Sequence, residues 1–193
     1  GTLTGATVTI DGGSLSGKYG ASVGGAADAA SSVSIFNAGI TATSMGVYMV
    51  STFAGTLTVS GATITAAYSA VRFAGVMSGA ATLGGSLTGT ASGNPCVYFI
   101  GAVTGPVTVT HGTTMTALGS AMRFNADVSS AVSLADVVHN GGGGANQGLG
   151  FNSLTGATIT VDGGSLSGGH GFKVAGVIDA ASTIDLNGVA ITG

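Results

Sequence analysis

Residues 4–17 read TGATVTIDGGSLSG and residues 155–168 read TGATITVDGGSLSG, so a nearly identical stretch occurs twice at an offset of 151 residues. Within the first copy, Val8 and Ile10 alternate with threonines, which is the period-2 pattern of a half-buried strand. The Asp-Gly-Gly that follows is typical of a turn, because Asp bonds its own backbone and Gly tolerates positive φ. Each copy therefore predicts a strand, a tight turn and a second strand.

The aliphatic pair recurs along the whole chain at intervals of 24 to 27 residues. Its members are Val8/Ile10, Val33/Ile35, Leu57/Val59, Leu83/Gly85, Val107/Val109, Val132/Leu134, Ile159/Val161 and Ile184/Leu186. A second apolar position usually follows five residues on, and a third alternating pair closes each unit. Self-similarity at a fixed period is the signature of a repeat architecture, here with three short strands per repeat.

One such repeat cannot bury its apolar face alone, but stacked repeats enclose a continuous core. We therefore predict an all-β fold: a right-handed, three-sided parallel β-helix, or β-solenoid, of roughly 25 residues per turn and about seven and a half turns. Residues 1–193 form a single domain without caps, which we expect to be a segment of a longer array. Equivalent side chains stack about 4.8 Å apart, and four phenylalanines then form an interior ladder: Phe73, Phe99, Phe124 and Phe151.

The composition excludes several classes of protein. The chain is 45% hydrophobic and only 6% charged, unlike a disordered chain, and its 37 glycines lack the three-residue period of collagen. Four Lys and Arg against seven Asp give no basic field, so we expect no nucleic-acid partner. No apolar run approaches the ~18 residues of a membrane span. The single cysteine, Cys96, cannot form an internal disulfide.

The stacked-strand pattern resembles the parallel β-helix repeats of large secreted bacterial surface proteins, including adhesins and the passenger regions of autotransporters. This resemblance covers the whole chain and is architectural. It implies an extracellular or cell-surface location and a structural or adhesive role. We expect such a chain to form or extend a filament by end-to-end and lateral packing with copies of itself, since little charge opposes association.

Threonines and serines flank the inward aliphatics of the first strand and form a candidate Thr/Ser face. Its members are Thr7, Thr9, Ser32, Ser34, Thr56, Thr58, Thr108, Thr158, Thr160 and Thr183. A further hydroxyl column follows the second strand's apolar position: Ser16, Thr41, Thr65, Thr88, Thr116, Ser167 and Thr192. Such Thr-x-Thr arrays resemble the flat faces of β-solenoid antifreeze proteins, which makes ice binding an alternative function. Strand propensity combined with tolerable exposure also explains the threonines.

The third strand carries a candidate surface-binding stripe of outward aromatic and basic residues: Tyr48, Arg72, Tyr98, Arg123 and Lys173. Arginines and tyrosines alternating at strand spacing would stack guanidinium on ring. The stripe has two interpretations that the sequence leaves open. One is a docking surface for a glycan or another surface, and the other is a local ladder that only stabilises neighbouring strands.

Polysaccharide-degrading enzymes also use this architecture, and they need converging carboxylates. Asp162 and Asp185 lie on neighbouring turns with Asp136 one turn below, but Asp162 also opens a DGG turn, as Asp11 does. The stretch GGSLSGK at 12–18 resembles a phosphate loop but lacks the following Ser or Thr and a helix. We therefore predict no enzyme activity, no catalytic residue, no cofactor and no metal. The irregular sixth turn at 139–148 has two interpretations that the sequence does not separate, a functional loop or a flexible bulge.

Overall fold

The computed structural model describes all 193 residues, which form seventeen β-strands and no helix. Every strand pairing is parallel and joins residues one turn apart, as in Val8 with Val33 and Val33 with Leu57. The predicted parallel β-solenoid of about 25 residues per turn is therefore confirmed. A strand spacing of about 4.8 Å gives a rod of roughly 35 Å.

The strands cover three faces, which we number in chain order within each turn. Face one begins in β1 (Thr7–Asp11), β3 (Ser32–Phe36), β5 (Thr56–Ala66), β7 (Ala81–Gly89), β9 (Val107–Val109), β12 (Ala131–Asn140), β14 (Thr158–Ser167) and β16 (Thr183–Asn187). Strands β5, β7, β12 and β14 continue onto face two, which also holds β10 (Thr114–Ala117), β17 (Ala190–Thr192) and the first halves of β2 (Ser14–Val23) and β4 (Gly39–Met49). Face three consists of the second halves of β2 and β4 with β6 (Val71–Phe73), β8 (Val97–Phe99), β11 (Met122–Val128), β13 (Gln147–Leu154) and β15 (His170–Val174).

The core is one apolar cluster that runs along the axis of the rod. Rings of Phe73, Phe99, Phe124 and Phe151 stack with centroid separations of 4.9, 4.6 and 4.8 Å and interplanar angles of at most 8°. These separations match the strand spacing, because each ring is fixed to its own turn. Full burial of one such side chain stabilises the fold by about 1.5–3 kcal/mol.

A fourth inward column lies at the corner between face three and face one, and the sequence patterns did not single it out. Isolated parallel bridges stack these residues one per turn: Leu3, Ala27, Phe53, Met77, Val103, Val128, Leu154 and Ile178. Close to this column, three successive turns carry a glycine at the same position: Gly55, Gly79 and Gly105. A Cβ at Gly79 or Gly105 would overlap the carbonyl oxygen of the glycine one turn below. The abundant glycine of this corner thus permits close approach of the backbone.

The fourth turn differs from the prediction. The inward pair there is Ala81/Leu83, which stacks on Leu57/Val59, and not Leu83/Gly85. The predicted register was wrong by two residues, because Ala81 is too small to stand out as a core residue in the sequence. It nevertheless lies in the core, with 1% of its surface exposed. Gly85 instead follows a bulge in the pairing of β5 with β7 and stacks on Ala62.

Candidate functional surfaces

Face one presents two outward columns, two residues apart on each strand. The first is continuous through Thr7, Ser32 and Thr56 and resumes at Thr158 and Thr183. The second is unbroken over seven turns and ends at Asp185; its hydroxyl residues are Thr9, Ser34, Thr58, Thr82, Thr108, Ser133 and Thr160. Sequence reasoning missed Thr82 because of the register error in the fourth turn, and it also omitted Ser133.

Face two carries a second unbroken polar column. It contains the residues predicted from the sequence and adds Asn140 in the sixth turn, between Thr116 and Ser167. The Ser167 hydroxyl donates to Asn140 Oδ1 over 3.1 Å. A parallel column two residues earlier contains Ser14, Gly39, Thr63, Ser86, Thr114, Val138, Ser165 and Ala190. Two faces of the rod therefore present small hydroxyl groups at one-turn spacing.

Face three bears the aromatic–cation stripe, which we define as Tyr48, Arg72, Tyr98, Arg123 and Lys173. Strand register aligns them in one column, with Gly150 between Arg123 and Lys173. The Arg72 guanidinium carbon lies 5.8 Å from the Tyr48 ring centroid and 5.6 Å from that of Tyr98. Arg72 is therefore held between two rings. Arg123, in contrast, extends into solvent without a ring contact.

A cleft of about 90 Å³ opens where the stripe lacks a side chain at Gly150. Arg123 and Lys173 form its two sides, and Asn152 also lines it. The buried side chain of Gln147 lies over the Gly150 backbone, where a Cβ would be 2.8 Å from Gln147 Oε1. Gln147 is held in place by Ser120, whose hydroxyl lies 3.1 Å from Oε1 and accepts the Gln147 backbone N–H.

Each of the acidic residues considered for catalysis stacks on or contacts a residue other than an acid. Asp185 stacks on Thr160, whereas Asp162 stacks on Asn187 and accepts its side-chain N–H over 3.1 Å. Asp136 Oδ2 lies 3.2 Å from His111 Nδ1, the one close contact in the chain between an acidic and a basic side chain. The structure contains no group of three or more His, Cys, Asp or Glu side chains arranged to hold a metal ion. The phosphate-loop-like stretch forms a turn and a strand.

His139 in the irregular sixth turn occupies the second-strand apolar column, between Met115 and Leu166. The sequence had shown no aliphatic residue for this place. The ring is completely buried and neither nitrogen has a hydrogen-bond partner. Desolvation by burial lowers the pKa of His139 from 6.5 to about 4, although a backbone contact with Gly148 opposes this. The ring is thus a neutral core residue at physiological pH.

Two aspartates accept hydrogen bonds from the neighbouring turn, and the arrangement occurs twice, 151 residues apart. Asp28 accepts the backbone N–H of Gly5 at 3.1 Å and the Ser31 hydroxyl at 2.6 Å. Asp179 makes the equivalent bonds with Gly156 and Ser182. The Ser31 hydroxyl and then the Gly5 N–H lower the pKa of Asp28. In both places the aspartate and serine belong to the same sequence, DAAS, which occurs at 28–31 and again at 179–182.

No helix capable of crossing a bilayer is present. The chain matches no family model, no curated protein and no solved structure. Its architecture is a parallel β-solenoid, and the likeness to surface adhesins rests on that architecture alone.

Proposed function

We propose that this chain is an extracellular structural and adhesive rod, which forms or extends a cell-surface filament by end-to-end and lateral packing with further copies of itself. The proposal is supported by its stacked turns, its continuous core and its low charge. Little electrostatic repulsion opposes the approach of a second rod. Two faces of the rod also carry columns of hydroxyl side chains at one-turn spacing.

The observation that carries the proposal is a junction found inside the chain. The stretch 155–168, which is nearly identical to 4–17, stacks on the sixth turn through β14 and β12. In that contact Ile159 lies on Val132 and Val161 lies on Leu134. The first turn of another copy differs there only by exchanging Val and Ile, a change that cores usually tolerate. Over residues 4–17, a six-turn unit is therefore compatible with stacking on itself. Beyond them the two copies differ, and Lys18 stands where Gly169 packs against the Gly144 carbonyl oxygen.

Rod formation can be tested by electron microscopy and sedimentation velocity over a range of protein concentrations. We expect particles longer than the roughly 35 Å of one chain. Val8→Lys places a charge on the aliphatic column at one end of the rod, where it should shorten the particles. Leu118→Lys is the matched control, because Leu118 is 60% exposed on the side wall. A single particle of one-chain length at all concentrations would contradict the proposal.

A second candidate function, ice binding, is favoured by the unbroken seven-turn hydroxyl column on face one. Its members repeat about 4.8 Å apart, and the partner column lies two residues away, at roughly 6.8 Å along each strand. Thermal hysteresis measures this activity directly. Thr58→Lys should abolish it, whereas Thr104→Lys, at an exposed position outside the column, should not. Absence of hysteresis in the unmodified chain would rule the function out.

A further inference from the structure

The cations of the aromatic–cation stripe follow a period of two turns. Arg72, Arg123 and Lys173 occupy alternate positions of the column, so successive attachment points are about 9.6 Å apart, twice the strand spacing. None of them lies within 4.0 Å of a carboxylate oxygen; the one such contact in the chain joins His111 and Asp136. Three of the four basic residues thus lie in one line with their charge uncompensated.

The positions of the column that lie between the cations are occupied by different side chains. Tyr48 and Tyr98 fill two of them with half-buried rings. At the third, the Gln147 side chain covers Gly150 and lines the small cleft between Arg123 and Lys173. Gln147 and Asn152 add side-chain amides to this cleft. Two cations flanking a small polar recess form a site for an anionic group such as a carboxylate.

The scaffold around this site is rigid. Arg72 is fixed between two tyrosine rings, and its Nε is buried without a hydrogen-bond partner. Gln147 is anchored to Ser120 by two hydrogen bonds. Arg72 and Gln147 therefore lose little conformational entropy on binding, whereas the exposed Arg123 side chain is ordered by the ligand.

We propose that the stripe binds a linear acidic polysaccharide, with one carboxylate of the polymer in the cleft between Arg123 and Lys173. Tyr98 stands next to Arg123 in the column and offers an aromatic surface on which a sugar ring packs. The strands of this face are paired on both sides along most of the rod, which leaves no edge for an extended peptide to join. Carboxylates on one side of an extended peptide would also recur about every 6.8 Å, out of step with the cations.

Binding is tested with the intact chain and polygalacturonate as the probe, by isothermal titration calorimetry at low and moderate salt. We expect affinity that falls as salt rises. The double variant Arg123→Gln/Lys173→Gln should bind about tenfold more weakly, equivalent to about 1.4 kcal/mol. Lys18→Gln removes one charge outside the stripe and should change affinity far less.

Three outcomes would overturn the proposal: no binding of polygalacturonate, equal binding of neutral dextran, or equal losses from Lys18→Gln and from Arg123→Gln alone. Tighter binding of poly-aspartate than of polygalacturonate would instead identify an acidic peptide as the partner. Circular dichroism confirms that each variant is folded. Rod assembly uses other surfaces, so electron microscopy of the double variant separates failure of this site from failure of the rod.

Discussion

Replacing His139 with leucine should remove an acid-sensitive weak point from the sixth turn. The imidazole lies in an apolar column between Met115 and Leu166, and no side chain of that column carries a charge to compensate a protonated ring. Leucine is the residue found at the same position one turn later, so it suits the site in shape. The substitution therefore tests whether the ring is buried and neutral.

The size of the effect follows from proton linkage. Unfolding exposes the ring and restores its ordinary pKa, so the unfolded chain binds the proton first as the pH falls. Stability conferred by the neutral ring is complete above pH 6.5 and is lost as the pH falls toward the folded pKa of about 4. Each unit of pKa difference changes the free energy of unfolding by about 1.4 kcal/mol. The difference between the unfolded pKa of 6.5 and the folded pKa of about 4 therefore corresponds to about 3 kcal/mol of stability. Leucine also removes two unpartnered polar atoms, a gain of about 1–3 kcal/mol at any pH.

Guanidinium chloride unfolding at about pH 7.5 and about pH 4 measures the effect, under conditions where the transition has two states. The advantage of His139→Leu over the unmodified chain should grow by about 3 kcal/mol between these pH values. His111→Leu is the control, because that histidine side chain is 79% exposed. An advantage that is the same at both pH values would refute the reasoning, since the ring would then not be buried in its neutral form.

Three other predictions concern stability. Phe99→Ala should lower the free energy of unfolding, measured by chemical denaturation, by about 3–5 kcal/mol, because Phe99 stacks on a ring at each side. Phe36→Ala, on the outside of β3, is the control and should lower it much less. Asp28→Asn should destabilise the chain at neutral pH, and the difference should vanish as the pH falls below about 3.8, because the lowered pKa confers stability only while the carboxylate is charged. Thermal melts across pH measure this, and a difference independent of pH would contradict it. Gly105→Ala should give little folded protein by circular dichroism, because its Cβ would overlap the Gly79 carbonyl oxygen; a melting temperature like that of the unmodified chain would disprove that close contact.

The sequence predicted the architecture because large apolar residues mark most inward positions. Val8 with Ile10 and their equivalents fix the turn length, and the four phenylalanines fix the register of face three. The prediction failed where an inward position is small or polar. Ala81 is indistinguishable by size from surface alanines, and His139 looks like a loop residue in a glycine-rich stretch. The position of each residue is set by the residues that stack on it from the turns before and after. The sequence of one turn alone does not show these neighbours.

The column of the stripe was also predictable, but the cleft was not. Alternation of Tyr48, Arg72 and Tyr98 follows from strand periodicity alone. The recess at Gly150 depends on where the Gln147 side chain lies, and that is set by Ser120 one turn below. Contacts of this kind join residues 27 positions apart, so they follow from the fold rather than from local pattern.

Because every turn stacks on the one before it, equivalent residues on each face of the rod are separated by the same strand spacing of about 4.8 Å. Faces one and two repeat their hydroxyls at each turn, so they suit a partner with that period, such as a neighbouring rod or a crystalline surface. Face three repeats its cations at every second turn and suits a polymer with a longer repeat. Each further six-turn unit would add another set of cations in the same line. Affinity for a polymer should therefore grow steeply with rod length, through effective concentration, whereas affinity per site for a short fragment should stay constant. Rod assembly would then set the strength of adhesion, although the two activities use different residues.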